Sequence, residues 1–174
     1  ECEAALGSPR GQLRRWLPDR PPDGSRWSSN RETAEMTVIA LTSSKGSPGV
    51  TTTALALAWV WPEVAPARRV LVVDADVAGG DITTGYLRGA VTSTDGLLGL
   101  AGDRSDDAVA ALWNHLIALD DDGTRLLLTG ISDPAQARSL VGTWPNLASV
   151  FAKLHDEDPA VDVIVDLGRL GSAH

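Results

Sequence analysis

Cysteine occurs once in the 174 residues, at Cys2, so no internal disulfide can form and no zinc-binding set of thiolates exists. That excludes a stapled secreted domain and a zinc finger, and a reducing cytoplasm fits best. Long apolar runs are missing too. The longest, Ala54 to Trp61, stops after eight residues at Pro62, well short of the roughly 20 needed to span a bilayer, and no secretory leader is visible. Positive charge is scarce: 15 Lys and Arg against 23 Asp and Glu leave a net charge of -8. This argues against a surface that tracks nucleic-acid phosphates along its whole length and leaves room only for a local basic patch.

What is present, 43% hydrophobic and 22% charged residues, suffices for one sizeable core and not for two ordinary domains. Residues 1–35 hold four prolines, six arginines, six acids and little apolar periodicity, a composition that cannot easily offset the entropy of ordering. They read as a flexible tail or as upstream sequence. Met36, the only methionine, stands directly before the first strand-like run; it is either the natural start or an internal residue after a disordered extension. The tail is charge-neutral, so the remaining 139 residues, with nine basic and 17 acidic side chains, carry the whole net charge.

Four short apolar runs read as buried strands: Thr37 to Thr42, Val70 to Val73, Arg125 to Leu128 and Val161 to Val165. Continuous runs suit parallel strands covered on both faces. Between them lie helix-length segments: Thr51 to Trp61 ended by Pro62, Asp106 to Leu119 ended by an Asp-Asp-Asp-Gly turn, and Pro134 to His155 interrupted near Trp144 and Pro145. The alternation predicts an α/β domain with a doubly wound, mainly parallel sheet.

The segment Ser43 to Ala58 joins the first strand to the first helix through a loop containing Gly46 and Gly49. Such a loop points backbone N–H groups and a helix N-terminus at one place, where an anion is stabilised. Thr51 and Thr52 add hydroxyls in the first helical turn, where a magnesium ion paired with phosphates takes an oxygen ligand. The string Lys45-Gly46-Ser47-Pro48-Gly49-Val50-Thr51 resembles the deviant Walker A motif, K-G-G-x-G-K-[ST], of the ParA/MinD group of P-loop ATPases. The leading lysine, both framing glycines and the threonine match. Ser47 replaces a glycine, and Val50 stands where P-loop proteins place their phosphate-binding lysine. A hydrogen bond to a charged group is worth about 1.5 to 3 kcal/mol, so Val50 predicts a roughly 10-fold to 150-fold weaker hold on phosphate.

Two further segments carry the resemblance, which covers about Thr37 to Asp166. Val70 to Asp81 places Asp74 and Asp76 at the carboxyl end of the second strand, the edge where open α/β sheets bind ligands. It looks like the Walker A-prime segment, which implies that Asp76 positions the magnesium shell and the attacking water; taken without that resemblance, Asp74 reads as a solvated strand end. Val161 to Leu170 looks like a Walker B strand, which implies that Asp166 holds a magnesium-bound water and that its strand lies beside the one ending at Thr42. A dinucleotide site competes, with Asp74 on a ribose hydroxyl. It lacks a full G-x-G-x-x-G, and Asp74 lies further past Gly46 than the usual ~20 residues.

Other features carry little. His115 and His155 lack partners at ligand spacing and suit surface or boundary positions. The aspartates at 120–122 lack the spacing of a calcium loop and suit a solvated turn between helix and strand. Trp59, Trp61, Trp113 and Trp144 suit core or helix–sheet packing. The resemblance implies a cytoplasmic protein that binds ATP and magnesium through Lys45 to Thr52, Asp76 and Asp166, with Lys45 reaching the partner's nucleotide in an ATP-dependent homodimer. It further implies a switch for intracellular positioning of chromosomes, plasmids, division machinery, pili or flagella, answering to a protein partner that stimulates or localises it. The sequence extends eight residues past Asp166, so DNA or membrane contact is expected only through sequence beyond it, the chain reading as a truncated domain. A non-hydrolysing localisation or assembly scaffold with a degenerate P-loop is the competing reading.

Overall fold

The computed structural model describes residues 38–44, 49–89, 96–157 and 159–169. The tail expected over residues 1–35, and Met36, lie outside the described residues. Five strands, β1 (Val38–Ser43), β2 (Arg69–Asp74), β3 (Ile117–Ala118), β4 (Arg125–Leu128) and β5 (Val161–Arg169), form one sheet in the order β1-β5-β2-β4-β3. β1, β5, β2 and β4 are mutually parallel. As expected, the strand carrying Asp166 lies directly beside the strand that feeds the glycine loop, with Leu41 opposite Asp166.

The apolar runs of β2 and β5 are continuous because both faces of these strands are covered. On one face Val70, Val72, Leu127 and Ile164 pack against Ala54 and Ala58 of helix α1 (Val50–Val64) and against Ile82. The α1 contacts Ala54, Leu57, Ala58 and Trp61 fall on one helical stripe, and the two alanines let the helix axis approach the sheet. On the other face Leu71, Val73, Leu126, Leu128 and Val163 meet α2 (Leu97–Gly102), α3 (Ala108–Asn114) and α4 (Trp144–Lys153). α4 supplies Leu147, Val150 and Phe151 at the same helical spacing. Each such side chain fully buried contributes about 1.5 to 3 kcal/mol.

Several local expectations are corrected. Pro62 does not end α1, which continues to Val64. A proline in the last turn removes one hydrogen bond, and the turn still closes through the Ala65 N–H on the Trp61 carbonyl at 2.8 Å. The helix expected to Leu119 stops at Asn114, and Ile117–Ala118 becomes an antiparallel strand on β4. Its chain reversal is fastened by Asp120, which accepts hydrogen bonds from the backbone N–H groups of Thr124 (2.9 Å) and Arg125 (3.2 Å) and pairs with the Arg125 guanidinium at 2.7 Å. The 120–122 turn therefore joins two strands, and Asp120 is not solvated. Burial pushes its carboxyl up, but the bonds from Thr124 and Arg125 outweigh that and hold it below the usual carboxylate range.

The segment expected as an interrupted helix from Pro134 to His155 breaks where anticipated, into a 3-10 helix (Pro134–Leu140), α4, and a short 3-10 turn (Leu154–Asp156). β1 is not buried on both faces: it alternates, with Val38 exposed. Trp59 is also exposed, stacked under the Arg125 guanidinium 4.6 Å from its ring centre rather than packed in the core. Trp113 and Trp144 do pack against the core, and Trp61 does so while donating to Asp162. His115 sits at a boundary 3.2 Å from Asp103, and His155 is exposed.

Candidate functional site

The parallel strands β1, β5 and β2 end together, and α1 begins at the same edge. Leu41, Asp166 and Asp74 form one row across the three strands. Ile164 and Val72 pack toward α1, so Asp166 and Asp74, each two residues further along, lie on that same face of the sheet.

Asp74 is buried, which corrects its reading as a solvated strand end. Its carboxyl is closed in by Gly80 and Gly130, and a Cβ at Gly130 would come within 2.6 Å of the Asp74 carbonyl oxygen. Burial pushes the Asp74 carboxyl up to about 7; the nearby charges of Asp166 and Asp76 act in the same direction, while backbone N–H bonds from Asp76 and Gly130 oppose it. Asp74, buried and absent from the cleft wall, is not placed to reach a ribose hydroxyl there, which removes the main support for a dinucleotide site.

Asp166 is also fully buried. Its Oδ1 accepts the Gly168 N–H at 2.9 Å, while its Oδ2 has no hydrogen-bond partner among the described residues. A buried carboxylate oxygen without a donor is costly, and a metal-bound water or a cation would satisfy it. Asp76, half-buried, accepts the Ala78 N–H at 2.8 Å and lies against the backbone of Gly168. Gly168 has φ +61, and a Cβ there would collide with the Asp76 carboxylate, so β5 approaches β2's extension this closely only because the residue is glycine.

Above this edge lies a cleft of about 960 Å3 whose wall includes Gly49, Val50, Thr51, Thr52, Asp76 and Arg169. Among the described residues, then, the start of α1 and Asp76 face one space. Asp166 and Asp74 sit behind the wall and do not line it. Lys45, Gly46, Ser47 and Pro48 lie outside the described residues. α1 carries no side-chain cap at Gly49 and no acidic residue in its first turn, unlike α3, whose first N–H groups are taken by Asp107. Among the described residues, then, no side chain caps the first N–H groups of α1, the groups an anion would take. Among the described residues no group of three or more His, Cys, Asp or Glu is placed to hold a metal. A cation here takes part of its shell from elsewhere, as magnesium does with phosphates and water.

Sequence reasoning missed a further part of the wall, a π-helical turn at Ile82–Tyr86 that, with Asp81 before it, lines the cleft. The Tyr86 hydroxyl accepts the Trp59 indole N–H at 2.9 Å. It also missed Arg169, which no local motif singles out.

No protein-family model matches the chain, and no curated protein sequence is similar to it. One solved structure similar to it is that of cobyrinic acid a,c-diamide synthase from Mycobacterium smegmatis, with bound ATP analog and magnesium. The two are 29% identical with a TM-score of 0.50, over 77% of this chain and 52% of that one. The fold is of the P-loop NTPase type. The resemblance to ParA/MinD-like P-loop ATPases drawn from the glycine loop thus has its counterpart in the fold of this neighbour. The chain spans about half the length of that enzyme. Among the described residues no helix is long and apolar enough to cross a membrane.

Proposed function

We propose that the cleft binds ATP with magnesium, and that the protein is a cytoplasmic, nucleotide-dependent dimerising switch of the ParA/MinD kind that serves intracellular positioning. The observation that carries the nucleotide reading is the start of α1, which no side chain caps among the described residues, facing one cleft together with Thr51 and Asp76 at the carboxyl edge of a parallel sheet. The similar structure with an ATP analog and magnesium supports it. In this reading the N–H groups after Gly49, together with the loop from Lys45 to Pro48, bind the phosphates. Thr51 and the Asp166 Oδ2, which has no hydrogen-bond partner among the described residues, hold the magnesium shell, the latter through water; the ion would neutralise phosphate charge. Asp76 orients the attacking water. Lys45 acts on the nucleotide of a second copy, making dimerisation depend on ATP, and a protein partner stimulates or localises the dimer.

Val50 favours a second reading. It lines the cleft half-buried and carries no charge, which suits a scaffold that binds nucleotide weakly and does not hydrolyse it. Calorimetry with magnesium-ATP, followed by light scattering and phosphate release, separates the two. Binding with ATP-dependent dimerisation and turnover supports the switch, whereas binding without turnover or dimerisation supports the scaffold. No binding overturns the nucleotide site. Val50→Lys should tighten magnesium-ATP binding by about 10-fold or more; an unchanged affinity in the folded variant would show that the cleft does not hold phosphate in P-loop fashion.

A further inference from the structure

We infer that Arg169 supplies, from the end of β5, the cationic phosphate contact that Val50 does not make from α1. This deepens the nucleotide-binding reading and rests on it. Among the described residues on the cleft wall, Arg169 is the only cation, set against the carboxylates of Asp76 and Asp81. It is exposed, and no ion pair or side-chain hydrogen bond engages it among the described residues. The arginines at the opposite, amino end of the sheet are committed there: Arg68 to Asp162, Arg125 to Asp120, and Arg69 over the Trp113 ring.

The register explains how Arg169 reaches the cleft. β1 and β5 pair Leu41 with Asp166, but the next aligned pair is Ser43 with Arg169, so β5 carries one residue more than β1 over this stretch. In a regular ladder Ser43 would face residue 168, and Arg169 would fall on the opposite side of the sheet. The bulge, formed where Gly168 takes φ +61, re-aims the strand. It sets Arg169 beside Ser43, and both line the cleft. The Thr42 hydroxyl holds the bulge by donating to the Gly168 carbonyl at 3.3 Å. A guanidinium at this place offers a planar fork of donors suited to phosphate oxygens and stays charged at any working pH.

The test is a titration of the 174-residue chain with magnesium-ATP and with AMP, by calorimetry, for wild type, Arg169→Gln, Arg169→Lys and the double variant Val50→Lys/Arg169→Gln. Urea midpoints confirm that each variant is folded. Arg169→Gln should weaken ATP binding about 10-fold to 150-fold, the range for losing a charged hydrogen bond. AMP, which lacks the outer phosphates, should lose less. Arg169→Lys should fall between, and the added lysine at position 50 should restore most of the loss. If wild type binds ATP and Arg169→Gln binds within 2-fold of it, the role of Arg169 is overturned while the nucleotide site stands. Failure of the double variant to regain affinity would show that Arg169 does not replace the missing lysine. If wild type binds no ATP, the nucleotide site itself falls, and this inference with it.

Discussion

Asp74 provides a pH-dependent test of the site's architecture that needs no ligand. Its carboxyl is raised from the ordinary 3.8 to about 7, chiefly by burial. Between those two pH values the unfolded chain has released the proton while the native state still holds it. The native state therefore binds more protons, and stability falls as pH rises. The slope is about 1.4 kcal/mol for each pH unit, which amounts to ~4 kcal/mol across the window before levelling off above pH 7. Asp74→Asn keeps the shape of the side chain and its acceptor for the Asp76 N–H, and removes the titration. The variant should match wild type below pH 4 and be more stable at pH 8. Urea unfolding of both proteins in a chelator, at pH 5 and pH 8, should show the gap widening by about 2 to 3 kcal/mol. A gap that stays constant within about 0.5 kcal/mol, or an Asn variant less stable at pH 8, would refute the account of Asp74 as a carboxyl desolvated beneath Gly80 and Gly130.

Two further outcomes are expected. Arg68 and Asp162 form a bidentate pair at the amino end of the sheet, with both contacts at 2.7 Å and the Asp162 side chain 3% exposed; Arg68→Ala should cost about 3 to 5 kcal/mol by leaving a buried charge underpaired, and a denaturation midpoint near wild type would contradict this. Gly168→Ala should lose about 1 to 2 kcal/mol from the left-handed backbone alone and more from the clash with Asp76, so thermal unfolding within about a degree of wild type would mean that the bulge is not built as described.

Much of the sheet was legible because buried parallel strands write themselves as continuous apolar runs: Val70 to Val73 and Val161 to Val165 lie inside β2 and β5. Their carboxyl ends, and hence the edge where Asp74, Asp76 and Asp166 collect, followed from the alternation of strands and helices. The helix after the glycine loop was legible for a similarly local reason, since backbone N–H groups at a helix start are a property of a few consecutive residues. β3 was not legible. Two residues, Ile117 and Ala118, continue the apolar pattern of α3 and become a strand only because β4 offers an unpaired edge. The state of Asp74 was likewise hidden, because its burial depends on Gly80 and Gly130, the latter from a distant loop. Arg169 shows the limit most clearly: its sequence neighbours place it on one side of a regular strand, and one extra residue at Gly168, defined only by pairing with β1, sends it to the cleft. Local composition determined the elements and their order. Register and burial, which exist only between segments far apart in the chain, decided which side chains share the site.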